Sequence, residues 1–194
     1  MSSQKLIAIV VVFLLAAFLL SGANTIPTQQ EKVNAAWAQV DNQYQRRMDL
    51  IPNLVKTVQG SANFEKSTLQ AVIDARARAT SITVTPETLQ NPEAFKQYEA
   101  AQNGLQGALS HLLAVSENYP ALKASENFLS LQSQLEGTEN RISVARRDYI
   151  LTVQEYNTTL RTFPGVIWAK IYGSKPRETF TSTSGADKPP AVNF

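Results

Sequence analysis

WAQVDNQYQRRMDLIPNLV, residues 37–55, and LQSQLEGTENRISVAR, residues 131–146, both set apolar side chains three or four apart with charges beside them. That spacing is the signature of a helix with one buried face. Extended outward, the first stretch keeps its phase through Val33, Trp37, Val40, Tyr44, Arg47/Met48, Ile51, Leu54 and Val58. Pro52 falls inside the run. An interior proline removes one backbone hydrogen bond and crowds the preceding turn. The apolar phase is the same on both sides of it, so the spacing predicts one kinked helix ending near Gly60. The second stretch extends through Phe128, Leu131, Leu135, Thr138, Ile142, Ala145, Tyr149, Val153, Tyr156 and Leu160, ending at Phe163-Pro164-Gly165. A helix of that extent is about 50 Å long.

Between these two lie shorter helical patterns. One is predicted over about 63–80, with Leu69, Val72, Ile73 and Arg76 on its stripe. SITVTPETLQNPE then reads as a loop, because it has two prolines and no period. Asn91 is placed to cap the next helix, with Pro92 at its first position. That helix carries Phe95, Tyr98, Leu105, Leu109 and Leu112 and stops at Asn118-Tyr119-Pro120. Gly104 and Gly107 on it are expected to let another helix approach closely. The expected fold is all-α: an antiparallel four-helix bundle whose long first and fourth helices form a coiled-coil-like arm beyond the shorter pair. The expected organisation is an N-terminal transmembrane or signal-anchor helix over 1–23, a bundle over 24–165 and a partly ordered tail over 166–194. A polar spacer over 24–30 separates the first two.

LIAIVVVFLLAAFLL, residues 6–20, is an unbroken apolar run. As a helix it rises about 22 Å, against about 30 Å of bilayer hydrocarbon. Adding Ser21, Gly22 and Ala23 brings it to about 27 Å, which crosses with slight thinning. Lys5 precedes the run and no charge follows until Glu31, so the N-terminus is expected in the cytoplasm and the remainder outside it. Two processing routes fit: an uncleaved signal anchor, or a signal peptide cut after the small residues Ser21-Gly22-Ala23. Leu20-Ser21-Gly22 opens like a lipoprotein signal, but position 23 is alanine, so no lipid can be attached there.

Composition narrows the chemistry. The 194 residues hold 18 basic and 16 acidic side chains, one histidine and no cysteine. A net charge of +2 with no long basic run gives no footing for nucleic acid. Without cysteine there is no disulfide framework, thiolate metal site or cysteine nucleophile. A single histidine, His111, rules out a multi-histidine metal site within one chain. No serine stands in a nucleophile motif, and Glu136 and Glu139, three apart, read as solvated acids. Asn157-Thr158-Thr159 matches a glycosylation triplet by chance within a helix. The aromatic set Trp37, Tyr44, Tyr98, Phe128, Tyr149 and Tyr156 reads as core. Trp168 and Tyr172 fit either a membrane interface or a clamp on the bundle.

The charges beside the two long stripes are Arg46, Arg47 and Asp49 on one helix and Glu139, Arg141, Arg146 and Arg147 on the other. They are expected to form a structural polar layer that fixes register, with Arg47 or Arg46 paired to Glu139. A pocket for an acidic ligand is the competing reading. No catalytic, cofactor-binding or metal-binding residue is assigned.

AWAQVDNQYQRRMDLIPNLVKTVQG, then NYPALKASENFLSLQSQLEGTENRISVARRDY, VQEYN, the FP after the fourth helix and the final PPAVNF together resemble the LemA family of bacterial membrane-anchored helical proteins. The resemblance implies an N-terminal anchor, a helical bundle outside the cytoplasm and no established enzymatic activity. Some family members are similar to proteins that shape intracellular membranes in magnetotactic bacteria, and others look like lipoproteins. Two positions depart from the family pattern: Tyr149-Ile150 stands where Tyr-Asn is usual, and Ala23 where lipoprotein-like members carry cysteine. The expectation is a non-catalytic envelope scaffold or protein-interaction module without cofactor. Its partners are the membrane and a protein of unknown identity, and self-association is compatible with it. A carrier holding a lipid or other hydrophobe between its helices is the alternative.

Overall fold

The computed structural model describes residues 3–181, leaving aside the side chains at 8, 15, 19, 20 and 21. Among the described residues there is no strand. The helices are α1 (Ser3–Ser21), α2 (Thr25–Gln59), α3 (Lys66–Ser81), α4 (Pro92–Ser116), α5 (Pro120–Lys123), α6 (Glu126–Arg161) and α7 (Gly165–Tyr172). The Ser/Thr/Gly stretch and the PPAVNF ending lie outside the described residues.

α1 stops at Ser21, and Gly22 to Asn24 form a turn. The expected continuation of the apolar helix through Ala23 is therefore not made. Its apolar helical part, from Leu6 to Ser21, rises about 24 Å, short of a hydrocarbon core of about 30 Å. Among the described residues no helix is long and apolar enough to cross a membrane. Nor is there a polar spacer over 24–30: α2 begins at Thr25 and takes in Pro27. A proline in the first turn has no intrahelical acceptor to lose, so it is tolerated there. α2 also continues through Pro52 for a total of 35 residues.

α2 packs mainly on α6, and α3 mainly on α4. Gln29 meets Glu155 and Arg47 meets Glu139, so α2 and α6 run antiparallel. α4 starts as expected, with the Asn91 side chain accepting from the backbone N–H groups of Glu93 and Ala94, each at 3.1 Å.

The interior has two apolar clusters. One joins Ile51, Leu54 and Val58 of α2 to Val72 of α3, Leu105 and Leu112 of α4, and Phe128 and Leu135 of α6. The other joins Val33, Trp37 and Tyr44 to Phe95, Tyr98, Tyr149, Val153 and Tyr156, with Ala169 and Phe180 added from beyond α6. α3 has only 16 residues and reaches only the first cluster. Beside the second cluster its place is taken by Ile82, Val84 and Leu89 of the loop and by Phe180. The expected arm of long helices is thus covered, and of the described residues after 165, Ala169 and Phe180 belong to the packed core.

Candidate functional site: an interior polar layer and a C-terminal strap

Arg47 occupies a stripe position of α2, between Tyr44 and Ile51, so its guanidinium enters the seam between the two clusters. It is 2% exposed. Its Nη1 donates to Glu139 Oε2 at 3.1 Å, and its Nη2 donates to Gln102 Oε1 at 2.6 Å and to the Gln102 carbonyl at 3.3 Å. One side chain thereby ties α2 to α6 and α4 at a single level. The guanidinium also lies 5.0 Å from the centre of the Tyr44 ring. Its Nε has no hydrogen-bond partner among the described residues. A buried ion pair with an unmatched donor adds little to stability over an apolar replacement.

The other expected residues divide between seam and surface. Arg146 donates to Glu99 Oε1 at 3.0 Å and stacks 4.2 Å from the centre of the Phe180 ring. Glu99 also accepts from the Thr181 hydroxyl at 3.3 Å. Arg141 bridges outward to Gln43 at 3.2 Å and inward to Thr138 at 3.3 Å. Arg46 and Asp49 are exposed, as is Arg147, whose contact is Asp148 next to it in sequence. Of the two arginines offered as Glu139's partner, the pairing is therefore with Arg47. Glu136 does not pair with Glu139; it accepts from Gln132 at 3.0 Å. His111 is exposed.

Burial shows in the phenols next to this layer. Desolvation raises the Tyr44 pKa above its ordinary value, partly offset by Arg146 and Arg47 nearby. Desolvation raises Tyr98 and Tyr149 as well.

The part that sequence reasoning missed is a strap formed by Lys175–Glu178. Asn157 of α6 receives it with both ends of its amide: Nδ2 donates to the Arg177 carbonyl and Oδ1 accepts from the Arg177 N–H, each at 2.9 Å. Tyr149 donates to the Glu178 carbonyl at 3.0 Å and Tyr156 to the Lys175 carbonyl at 3.2 Å. On its other edge the Glu178 N–H donates to the Leu89 carbonyl at 2.9 Å, and Arg177 Nη1 donates to the Pro86 carbonyl at 2.7 Å. The strap thus ties α6 to the loop before α4 and delivers Phe180 to Trp37, Phe95 and Tyr149. Asn157 stands next to Tyr156 on the stripe, and a polar amide at the edge of an apolar face was the available signal.

A cavity of about 160 Å3 opens beside Arg47, lined by Leu109, Leu113 and Leu135 with Ser110, Glu136 and Glu139. It is smaller than the several hundred Å3 that enclose a small-molecule ligand.

The sequence model of the LemA family matches residues 36–194. Magnetosome proteins MamQ 1 and MamQ 2 of Paramagnetospirillum magneticum are each 28% identical over 199 residues, covering 94% of this chain and 73% of each relative. Magnetosome protein MamQ of Magnetospirillum gryphiswaldense is 27% identical, covering 96% of this chain and 75% of that protein. Protein LemA of Metamycoplasma hominis is 24% identical over 72% of this chain and 60% of its own length. The matched span takes in most of α2, all of α6 and the strap, and the chain belongs to the LemA family.

Proposed function

We propose that this protein is a non-catalytic scaffold or protein-interaction module of the bacterial envelope, held to the membrane by α1. Its body is read as an antiparallel four-helix bundle built on α2, α3, α4 and α6. The disposition of charge carries the reading. Arg47 is committed to Glu139 and Gln102, and Arg146 to Glu99 and Phe180, while Arg46, Asp49 and Arg147 face outward. The interior groups serve register, which leaves partner chemistry to the outer faces of the helices. Likeness to magnetosome proteins supports a bacterial membrane setting.

In this reading Lys5 stays in the cytoplasm, α1 enters the bilayer with local thinning to match its length, and the bundle lies on the far side. A carrier would need an enclosed apolar cavity between helices; the larger hollow between α2 and α6, about 380 Å3, is open at the surface and flanked by Arg141 and Asp148. Crosslinking in intact cells followed by mass spectrometry tests the proposal. The expected result is a reproducible crosslink from the α2 or α6 surface to one envelope protein. Recovery of a bound lipid in place of any protein crosslink would sink the module reading. The same spectra give the mature N-terminus: a chain starting after Ala23 would remove the anchor.

A further inference from the structure

α7 has a buried edge and an open one. Gly165 and Ala169 are packed, whereas Phe163, Val166, Ile167 and Ile171 are 64%, 42%, 38% and 62% exposed. Exposed apolar side chains gathered on one short helix and the turn before it call for a covering. Both ends of α7 meet the junction of α1 and α2. The ring of Phe163 stacks on Phe18, in the last turn of α1, with centres 5.9 Å apart. The Tyr172 hydroxyl donates to the Ala23 carbonyl at 3.1 Å. The open face of α7 is thus continuous with a helix whose described side chains between Leu6 and Phe18 are exposed and apolar.

Charge follows the same geography. Residues 6–30 contain no charged side chain. Residues 156–177 contain Arg161, Lys170, Lys175 and Arg177 and no acid. Arg177 is occupied inside the fold, and the other three are exposed. A second copy placed symmetrically on this face would set like charges against like. A lipid surface meets the same three cations with headgroup phosphates and accepts the apolar face below them.

We propose that α7 is an interfacial helix, seated with Phe163, Val166, Ile167 and Ile171 in the boundary between headgroups and acyl chains beside the end of α1. The proposal rests on the reading of α1 as the anchor. α7 then gives the body a second point of contact, which fixes its tilt over the bilayer.

The chain has no cysteine, so single labels can be placed freely. Val12→Cys, Ile171→Cys and, on the outer face of α6, Ser133→Cys are each labelled in the full chain with a nitrobenzoxadiazole fluorophore. The proteins are reconstituted in phosphatidylcholine–phosphatidylglycerol vesicles. The Ile171 label is expected to lose about half its emission to a lipid quencher placed near the headgroups and to resist aqueous iodide, as an interfacial depth requires. The Ser133 label should show the reverse. A Val12 label quenched from within the bilayer, with Ile171 open to iodide, overturns the interfacial helix and leaves the anchor. An Ile171 label reached by neither quencher means that protein covers the face, and also overturns it. Ile171 quenched by lipid with Val12 outside the bilayer overturns the anchor and keeps the interfacial helix. Both labels open to iodide overturn both.

Discussion

The Arg47–Glu139 pair is unequal, because its two members differ in access to water: the arginine side chain is 2% exposed and the glutamate 32%. Removing Glu139 strands a buried cation without a countercharge, leaving it Gln102 and the face of the Tyr44 ring. Removing the charge of Arg47 leaves a carboxylate that water can reach. Glu139→Ala is therefore expected to cost roughly 3–5 kcal/mol, the range for an uncompensated buried charge. Adding Arg47→Met to it should recover part of that loss. Urea denaturation followed by circular dichroism checks this; a double variant no more stable than Glu139→Ala alone would show that the two are uncoupled. Asn157 gives a second test. Asn157→Ala deletes two hydrogen bonds to the strap, worth about 1–3 kcal/mol together. Hydrogen exchange should quicken at residues 174–181 while α2 remains protected. A uniform rise across the chain would mean that Asn157 supports the whole core instead.

At the scale of elements, glycine has opposite meanings in α4 and α7. Gly104 and Gly107, expected to admit a close neighbour, face open space. Close approach occurs at Gly165, where an added Cβ would collide with the Thr159 carbonyl oxygen. The chain turns back after Thr162, so the first residue of α7 lies against the last turn of α6. Gly165→Ala is expected to destabilise by about 1–3 kcal/mol, as overpacking does. Gly107→Ala should be neutral or slightly stabilising through helix propensity. Thermal melts of the two variants decide it. The same contrast shows what the sequence could convey. α2, α4 and α6 were legible because a one-sided stripe repeated over many turns has few alternative readings. The Asn91 cap was legible because its chemistry is local. α7 was not, since GVIWAKIY is eight residues and apolar on nearly every side, so its period carries little information. The strap was illegible for a different reason: all but one of its bonds described above are made by backbone atoms of Lys175, Arg177 and Glu178, which every residue possesses. Of the expected polar layer, the stripe position of Arg47 marked it as interior. Nothing in the one-dimensional pattern separated Arg46 from it except that single step of phase.

For the molecule as a whole, the buried phenols tie stability to alkali. Tyr44, Tyr98 and Tyr149 all have pKa values raised above 10.0 by desolvation. A raised folded pKa means that the native state holds the proton more tightly than the unfolded chain does. The associated stability is complete below pH of about 10 and is lost as pH climbs from there towards the folded values. Ionisation of these three is therefore expected only as helicity collapses, giving a late rise in tyrosinate absorbance that coincides with loss of the helical signal. A single smooth titration with the helical signal intact would contradict it. The two clusters also differ in when they can form. The one around Leu54 and Leu112 draws on residues 51–135, whereas the one around Trp37 waits for Phe180. During synthesis the first can close while the second still lacks its final ring. A chain ending near residue 165 is therefore expected to close the first cluster and to leave an open aromatic trough beside it. Arrival of the strap is expected to complete the fold as a second, separate step.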